Sequence, residues 1–176
     1  MIFEQKIKSV IRDVPDFPKP GIVFKDITPI LKDSQLCSEI ADEFILKLHG
    51  TKIDAIVCTE SRGFFFGFLL ASRMHLPLIP LRKQGKLPYK TISHEYDLEY
   101  GTAIVEMHID ALEKGWNVLI HDDLLATGGT AEASAVLIKR QNANVAGFAF
   151  LVELDFLQGR KKIETYSQNI ISLVRY

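Results

Sequence analysis

The sequence predicts an α/β domain: a mainly parallel sheet flanked by helices on both faces. Three observations carry this reading. Short apolar runs recur along the chain with the length and composition of buried strands. Helix-period segments lie between them, and that alternation favours a parallel sheet covered on both sides. Two turns of unusual composition, "TESRG" and "HDDLLATGGT", follow directly after strands, which is where ligands bind in such sheets.

Ile2, Lys6, Ile7, Val10 and Ile11 share one face of an amphipathic first helix, which should end before "PDFPKPG". "SQLCSEIADEFILKLHG" reads as a helix with Ser34 as N-cap and Gly50 as its stop. "DAIVCTE" is a short buried strand, and "FFFGFLLASRM" a buried helix after the turn "SRG". "LPLIPL" is a strand with irregular ends because of its prolines.

A polar stretch, residues 82–101, reads as a flexible loop; at that length it is functional or argues against the assignment. "TAIVEMHI" and "WNVLIH" are strands, the second ending before Asp122. "TAEASAVLIKRQ" is a helix with Ala133, Val136 and Leu137 inward. "ANVAGFAFLVEL", "FLQGRKKI" and "NIISLVR" read as strand, short helix or turn, and last strand.

A chain of 176 residues suits one domain, 1–176, with a substantial core. Its formal net charge of −1 gives no reason to expect nonspecific nucleic-acid or membrane binding, so any basic site must be local. Cys37 and Cys58 lack a CxxC spacing, which argues against zinc. The N-terminus lacks the apolar core of a signal peptide, and the most apolar run is about half a membrane crossing. A cytoplasmic protein is expected.

The chemistry concentrates in the two turns. A strand feeding "ATGGT" and then a helix exposes unpaired backbone N–H groups at the positive end of the helix dipole, an anion site. Thr127 and Thr130 add hydroxyls, Gly128 and Gly129 allow close backbone approach, and Ala126 opens the turn. Neither GxxxxGK[ST] nor GxGxxG occurs. Asp122 and Asp123 would repel a bare phosphate, so they imply a ligand that also carries hydroxyls or brings a divalent metal. A phosphorylated sugar meets both conditions. Arg82, Lys83 and Lys86 form a basic cluster in an otherwise neutral chain.

"VLIHDDLLATGGT" resembles the phosphoribosyl-pyrophosphate signature of the type I phosphoribosyltransferases, in the form carried by their adenine-using members. "DFPKPGIVFKDITPIL", "ESRGFFFG", "RKQGKLP", "EYDLEYG" and "LVELDFLQGRKK" resemble further segments of that family in the same order. The resemblance implies that family's fold, with an N-terminal hood over residues 1–34 and a lid over 82–101. It implies transfer of a phosphoribosyl group from phosphoribosyl pyrophosphate to N9 of adenine, giving AMP and pyrophosphate, with Mg2+ held mainly through the substrate.

By the same resemblance, Ala126 to Thr130 hold the 5-phosphate and Asp122 and Asp123 the ribose hydroxyls. Glu60, Ser61 and Arg62 take the pyrophosphate, with a cis peptide expected between Glu60 and Ser61. Arg82, Lys83 and Lys86 belong to a lid that brings charge to the pyrophosphate and excludes water, and the Arg82 equivalent reaches a neighbouring subunit's site, implying a homodimer. Glu99 resembles the acid/base residue near N7 of the base, with Tyr100 beside it as a second contact. Val23, Phe24 and Lys25 would read adenine: the Val23 carbonyl accepting from N6, the Lys25 N–H donating to a ring nitrogen, and Phe24 packing on the purine.

Several positions depart from the pattern. His121 stands where valine is usual, Lys25 where many relatives have arginine, and Tyr89 and Lys90 make the lid bulkier. Two other readings remain open: a nucleotide or phosphoribosyl-pyrophosphate sensor without turnover, and a transferase for 6-oxopurines or pyrimidines. The presence of Glu99 and the lack of length for a further domain weigh against the sensor. The "GIVFKD" segment and the "DDLLATGGT" form weigh against the other bases.

Overall fold

A computed structural model describes residues 2–97 and 101–176. The chain forms two compact units, 1–43 and 44–176.

In the first unit, α1 spans Phe3–Lys8, shorter than its periodicity suggests. The chain then runs as β1 (Arg12–Pro15), antiparallel to β2 (Val23–Asp26), with Val14 opposite Phe24. The reason is local. Pro15 disfavours helical geometry at Val14, and a partner strand is available to take up the freed backbone groups. A 3-10 turn over Thr28–Lys32 leads into α2, Ser34–Lys47. Its N-cap is Asp33 rather than Ser34: the Asp33 carboxylate accepts from Leu36 N–H at 2.9 Å. Leu36, Ile40, Ala41, Phe44 and Leu48 follow the helical period and are all buried.

The second unit is built on a seven-stranded sheet. Its strands are β3 (Ala55–Thr59), β4 (Leu78–Lys83), β5 (Thr91–Asp97), β6 (Thr102–His108), β7 (Asn117–Leu125), β8 (Asn144–Glu153) and β9 (Ile170–Arg175), ordered β5-β6-β4-β3-β7-β8-β9. The β4-β3-β7-β8-β9 portion is parallel, while β6 runs antiparallel to β4 and β5. The mainly parallel α/β architecture is therefore the one the sequence predicts. All five β3 residues are buried, and all but Thr59 are apolar, as in a strand covered on both faces.

Three helices complete the unit: α3 (Gly63–Met74) between β3 and β4, α4 (Gly129–Arg140) between β7 and β8, and α5 (Gly159–Ile163) before β9. The β3–α3–β4 and β7–α4–β8 crossovers step in opposite directions, so right-handed connection places α3 and α4 on opposite faces. Ala133, Ala135, Leu137 and Ile138 of α4 share one core with Val118, Ile120, Phe148 and Phe150. Each large side chain buried there contributes roughly 1.5–3 kcal/mol. Val136 lies only partly buried, so the inward stripe is carried by its neighbours. Nor is α3 buried all round, because Phe65 and Phe68 are 46% and 70% exposed.

Two sequence expectations change at strand level. Residues 82–101 are not one irregular loop, since β5 lies within them and pairs with β6 from Thr91–His108 to Asp97–Thr102. The second change concerns β7, which runs through Asp122 and Asp123 to Leu125, because β8 offers backbone partners up to Glu153. Pro80 sits inside β4 without cost to the sheet. Pro77 and Leu81 carbonyls accept from β3, so Pro80 faces the other side, where pairing with β6 begins only at Arg82.

Candidate active site at the carboxyl ends of β3 and β7

Strands β3 and β7 are neighbours whose helices leave in opposite directions, which makes their carboxyl ends the topological switch point of the sheet. "TESRG" continues β3 and "ATGGT" continues β7. A cavity of about 370 Å³ opens there, lined by Thr59 to Arg62, Arg82, Lys83, Tyr96, Asp122, Asp123 and Thr130. A second hollow of about 80 Å³ is walled by Leu124 to Ala131, Tyr96, Asp122 and Phe150. Tyr96, Asp122, Leu124 and Thr130 border both, so the two spaces adjoin.

The glycine turn is built as an anion cradle. Gly128 has φ +83°, the left-handed region glycine adopts without penalty, and α4 starts at the next residue. The first N–H groups of α4 lack helical acceptors and lie at the positive end of its dipole. Thr127 is exposed and Thr130 half-buried, so both hydroxyls border the hollow.

Two carboxylates stand beside this cradle. Asp123 is 5% exposed at its side chain and accepts from Arg62 Nε at 2.5 Å. Asp122 Oδ1 accepts from the Asp123 backbone N–H at 2.8 Å. Burial, followed by the adjacent Asp123 charge, raises the Asp122 pKa well above the ordinary carboxylate range. A group in that state is eager for a hydroxyl or a cation. Gly63 lets α3 approach, since a Cβ there would lie 2.9 Å from Asp122 Oδ1.

The loop after β3 has the cis peptide expected at Glu60–Ser61. Glu60 itself does not present a free carboxylate. Its Oε2 accepts from Arg82 Nε and from the Lys83 N–H, both at 3.1 Å. Burial would raise the Glu60 pKa, but the Lys83 N–H, the Arg82 guanidinium and the Lys86 charge together hold it below its usual value. Arg82 Nη1 also donates to the Lys86 carbonyl at 3.0 Å. The basic cluster is thus gathered over the β3 loop by an acidic residue of that loop.

Val23, Phe24 and Lys25 form β2 of the N-terminal unit. Lys25 Nζ donates to Asp13 Oδ1 at 2.7 Å. Val23 is 49% exposed, and the Phe24 ring meets Phe17 edge-on at 5.2 Å. Glu99 and Tyr100 lie outside the described residues. His121 is fully buried, its ring meeting Phe44 edge-on at 5.5 Å. Neither ring nitrogen makes a well-formed hydrogen bond; burial pushes its pKa down to about 4, offset only in part by the Ala149 backbone. It is a neutral core group rather than a second acid/base.

Sequence reasoning missed Tyr96 and Glu106. The Tyr96 and Thr130 hydroxyls share a hydrogen bond at 3.0 Å, and the Tyr96 ring covers Gly129, where a Cβ would lie 3.1 Å from Cδ2. Glu106, 5% exposed, accepts from Gly85 and Leu87 N–H groups at 3.0 and 3.2 Å and so shapes the basic turn. The signal for Tyr96 was present: Ile92, His94 and Tyr96 alternate with exposed Ser93, Glu95 and Asp97, the period of a strand.

No cluster of three or more His, Cys, Asp or Glu able to cage a metal occurs among the described residues. Asp122 and Asp123 do offer hard oxygen donors. That set fits magnesium, which keeps several waters and takes its other ligands from substrate oxygens.

A phosphoribosyl transferase domain model matches residues 25–174. The adenine phosphoribosyltransferase of Cytophaga hutchinsonii is 54% identical over 175 residues, covering 99% of this chain and 97% of that protein. The crystal structure of adenine phosphoribosyltransferase from Thermoanaerobacter pseudethanolicus superposes with a TM-score of 0.94 at 50% identity, covering 98% and 99% of the two chains. The Saccharomyces cerevisiae enzyme, complexed with adenine and an imino-altritol bisphosphate, superposes at 0.91 with 39% identity over 97% of this chain and 98% of that one. By the domain that spans most of its length and by these relatives, this chain belongs to the phosphoribosyltransferase family, among its adenine phosphoribosyltransferases.

Proposed function

We propose that the crevice at β3 and β7 is where this adenine phosphoribosyltransferase works, joining N9 of adenine to C1 of phosphoribosyl pyrophosphate and releasing AMP and pyrophosphate. One observation carries the residue assignment. An anion cradle, a carboxylate pair and the basic side chains of Arg62, Arg82 and Lys83 border two adjoining spaces, in the order that phosphate, ribose and pyrophosphate follow in the substrate.

Ala126, Thr127, Gly128, Gly129 and Thr130 hold the 5-phosphate. Asp122 and Asp123 accept from the ribose hydroxyls, and the charge on the pair favours the positive character that develops at C1 and the ring oxygen as the C1–O bond breaks. Ser61 serves the pyrophosphate through its backbone N–H, Glu60 acts there by holding Arg82 and the Lys83 N–H over the loop, and Arg62, Arg82, Lys83 and Lys86 meet the charge as it leaves. Mg2+, when bound through substrate oxygens and the aspartates, neutralises part of that leaving charge.

Val23, Phe24 and Lys25, in the hood of residues 1–34, read the base by the family resemblance. The Lys25 ammonium is engaged by Asp13, so the proposed contact to adenine is the one made through the Lys25 backbone. Glu99 exchanges the proton at N7, and Tyr100 lies beside it. Residues 82–101 form the lid, whose described part includes β5 paired with β6, and it keeps water from the electrophilic sugar. A homodimer fits the apolar Phe65 and Phe68 left on the surface of α3. A cytoplasmic setting fits the two free cysteines.

The test is nucleotide formation from adenine, hypoxanthine and guanine in parallel, with phosphoribosyl pyrophosphate and magnesium. AMP from adenine alone is expected. Nucleotide from guanine would overturn the base assignment, and binding without turnover would favour a sensor.

A further inference from the structure

The segment "LVELDFLQGRKK" has no part in the reaction as described, yet it lies against the phosphate cradle. Gly159, the first residue of α5, meets the turn after β7 backbone to backbone. A Cβ on Gly159 would lie 2.2 Å from the Ala126 carbonyl oxygen and 2.9 Å from the Gly128 nitrogen. Reciprocally, a Cβ on Gly128 would lie 2.7 Å from the Gly159 carbonyl oxygen. Both obstacles are main chain, which cannot swing aside as a side chain can.

The next residue fixes where Gly159 sits. Arg160 Nε donates to Glu153 Oε1 at 2.9 Å and Nη2 to Oε2 at 2.6 Å, a two-pronged pair. Arg160 Nη1 also donates to the Ile170 carbonyl at 3.1 Å. Glu153, 3% exposed, accepts further from Ser172 Oγ at 2.5 Å and closes β8 opposite Leu125. A buried carboxylate therefore ties the start of α5 to the strand ends that flank the cradle.

We infer that Gly159 and Arg160 are positioning residues for the 5-phosphate: the Glu153–Arg160 pair holds Gly159 behind Ala126–Gly128 and so sets the spacing of the cradle's N–H groups. The inference rests on the assignment of that loop to the 5-phosphate. An anion held by backbone donors tolerates little displacement, because hydrogen bonds weaken steeply once angle and distance drift. The brace substitutes for side-chain rigidity in a turn made of small residues.

The test compares Gly159→Ala, Arg160→Lys and a loop variant, Thr127→Val with Thr130→Val, by titrating ribose 5-phosphate and, separately, pyrophosphate. Gly159→Ala should weaken ribose 5-phosphate by about tenfold and Arg160→Lys by a smaller factor, with pyrophosphate affinity unchanged. A merely structural role would weaken both ligands alike, and that result overturns the inference, as does wild-type ribose 5-phosphate affinity in Gly159→Ala. If Gly159→Ala does not fold, Arg160→Lys decides by the same comparison. If the loop variant keeps full ribose 5-phosphate affinity, the loop assignment itself fails. If the loop variant weakens and the brace variants do not, only the brace fails.

Discussion

Arg62 donates through Nε to Asp123 at 2.5 Å, so the guanidinium proposed for the pyrophosphate is already joined to the carboxylate proposed for the ribose. Asp123 is almost wholly buried, whereas Arg62 is 40% exposed. Removing the guanidinium leaves a buried carboxylate without this partner. Arg62→Ala should cost about 1–2 kcal/mol, below the cost for a fully buried pair because Arg62 is partly solvated. It should also weaken pyrophosphate about tenfold, as expected for loss of a charge-assisted contact. Denaturant unfolding and calorimetric titration read the two effects. Unchanged pyrophosphate affinity would remove Arg62 from that site.

Asp122 gives a pH signature of its own. Its folded-state pKa is raised by burial first and by Asp123 second, so the folded chain binds this proton more tightly than the unfolded one. Stability from this group is therefore present below the unfolded carboxylate value and is lost as pH rises through the folded value. Asp122→Asn should melt higher than the parent at pH 7, by about 2–4 °C if the repulsion relieved is near 1 kcal/mol. It should also lose ribose 5-phosphate affinity. A lower melting temperature at neutral pH would contradict the repulsion.

His121 works in the opposite direction. Burial depresses its pKa from 6.5 to about 4, so the unfolded chain takes up the proton first. Its contribution is present above the unfolded value and is lost as pH falls from 6.5 towards 4. His121→Val should flatten the acid limb of the stability profile in that window, whatever its cost at pH 7. An acid limb identical to the parent's would mean that other groups control it.

Tyr96 and Thr130 join β5 to the cradle through one hydroxyl pair. Tyr96→Phe and Thr130→Val should each cost about 0.5–1.5 kcal/mol, and the double variant little more than either alone. Denaturant unfolding of the four proteins gives the coupling directly. Strictly additive losses would show that the hydroxyls do not depend on one another.

Glu99→Gln removes the proposed proton carrier while keeping its shape. Turnover should fall by roughly 10²–10⁴-fold with little change in the KM for phosphoribosyl pyrophosphate. Steady-state rates with adenine measure this, and an unaltered kcat would take the acid/base role away from Glu99.

Residue pattern alone establishes the sheet class and the order of most strands and helices, and it singles out the two turns proposed to carry the chemistry. These are local or periodic signals: apolar runs with strand length, helical stripes, and glycines next to paired aspartates. How far each strand runs, and what each polar group meets, emerges only in the folded chain. Strand β7 extends through Asp122 and Asp123 because β8 supplies partners, and β5 exists because β6 pairs with it. Glu60 gathers Arg82 and Lys83, Arg62 joins Asp123, and Gly159 sits behind Gly128, pairs separated by about 20 to 60 residues. A hydrogen bond or a steric limit depends on distance in space, and spacing along the chain does not encode it.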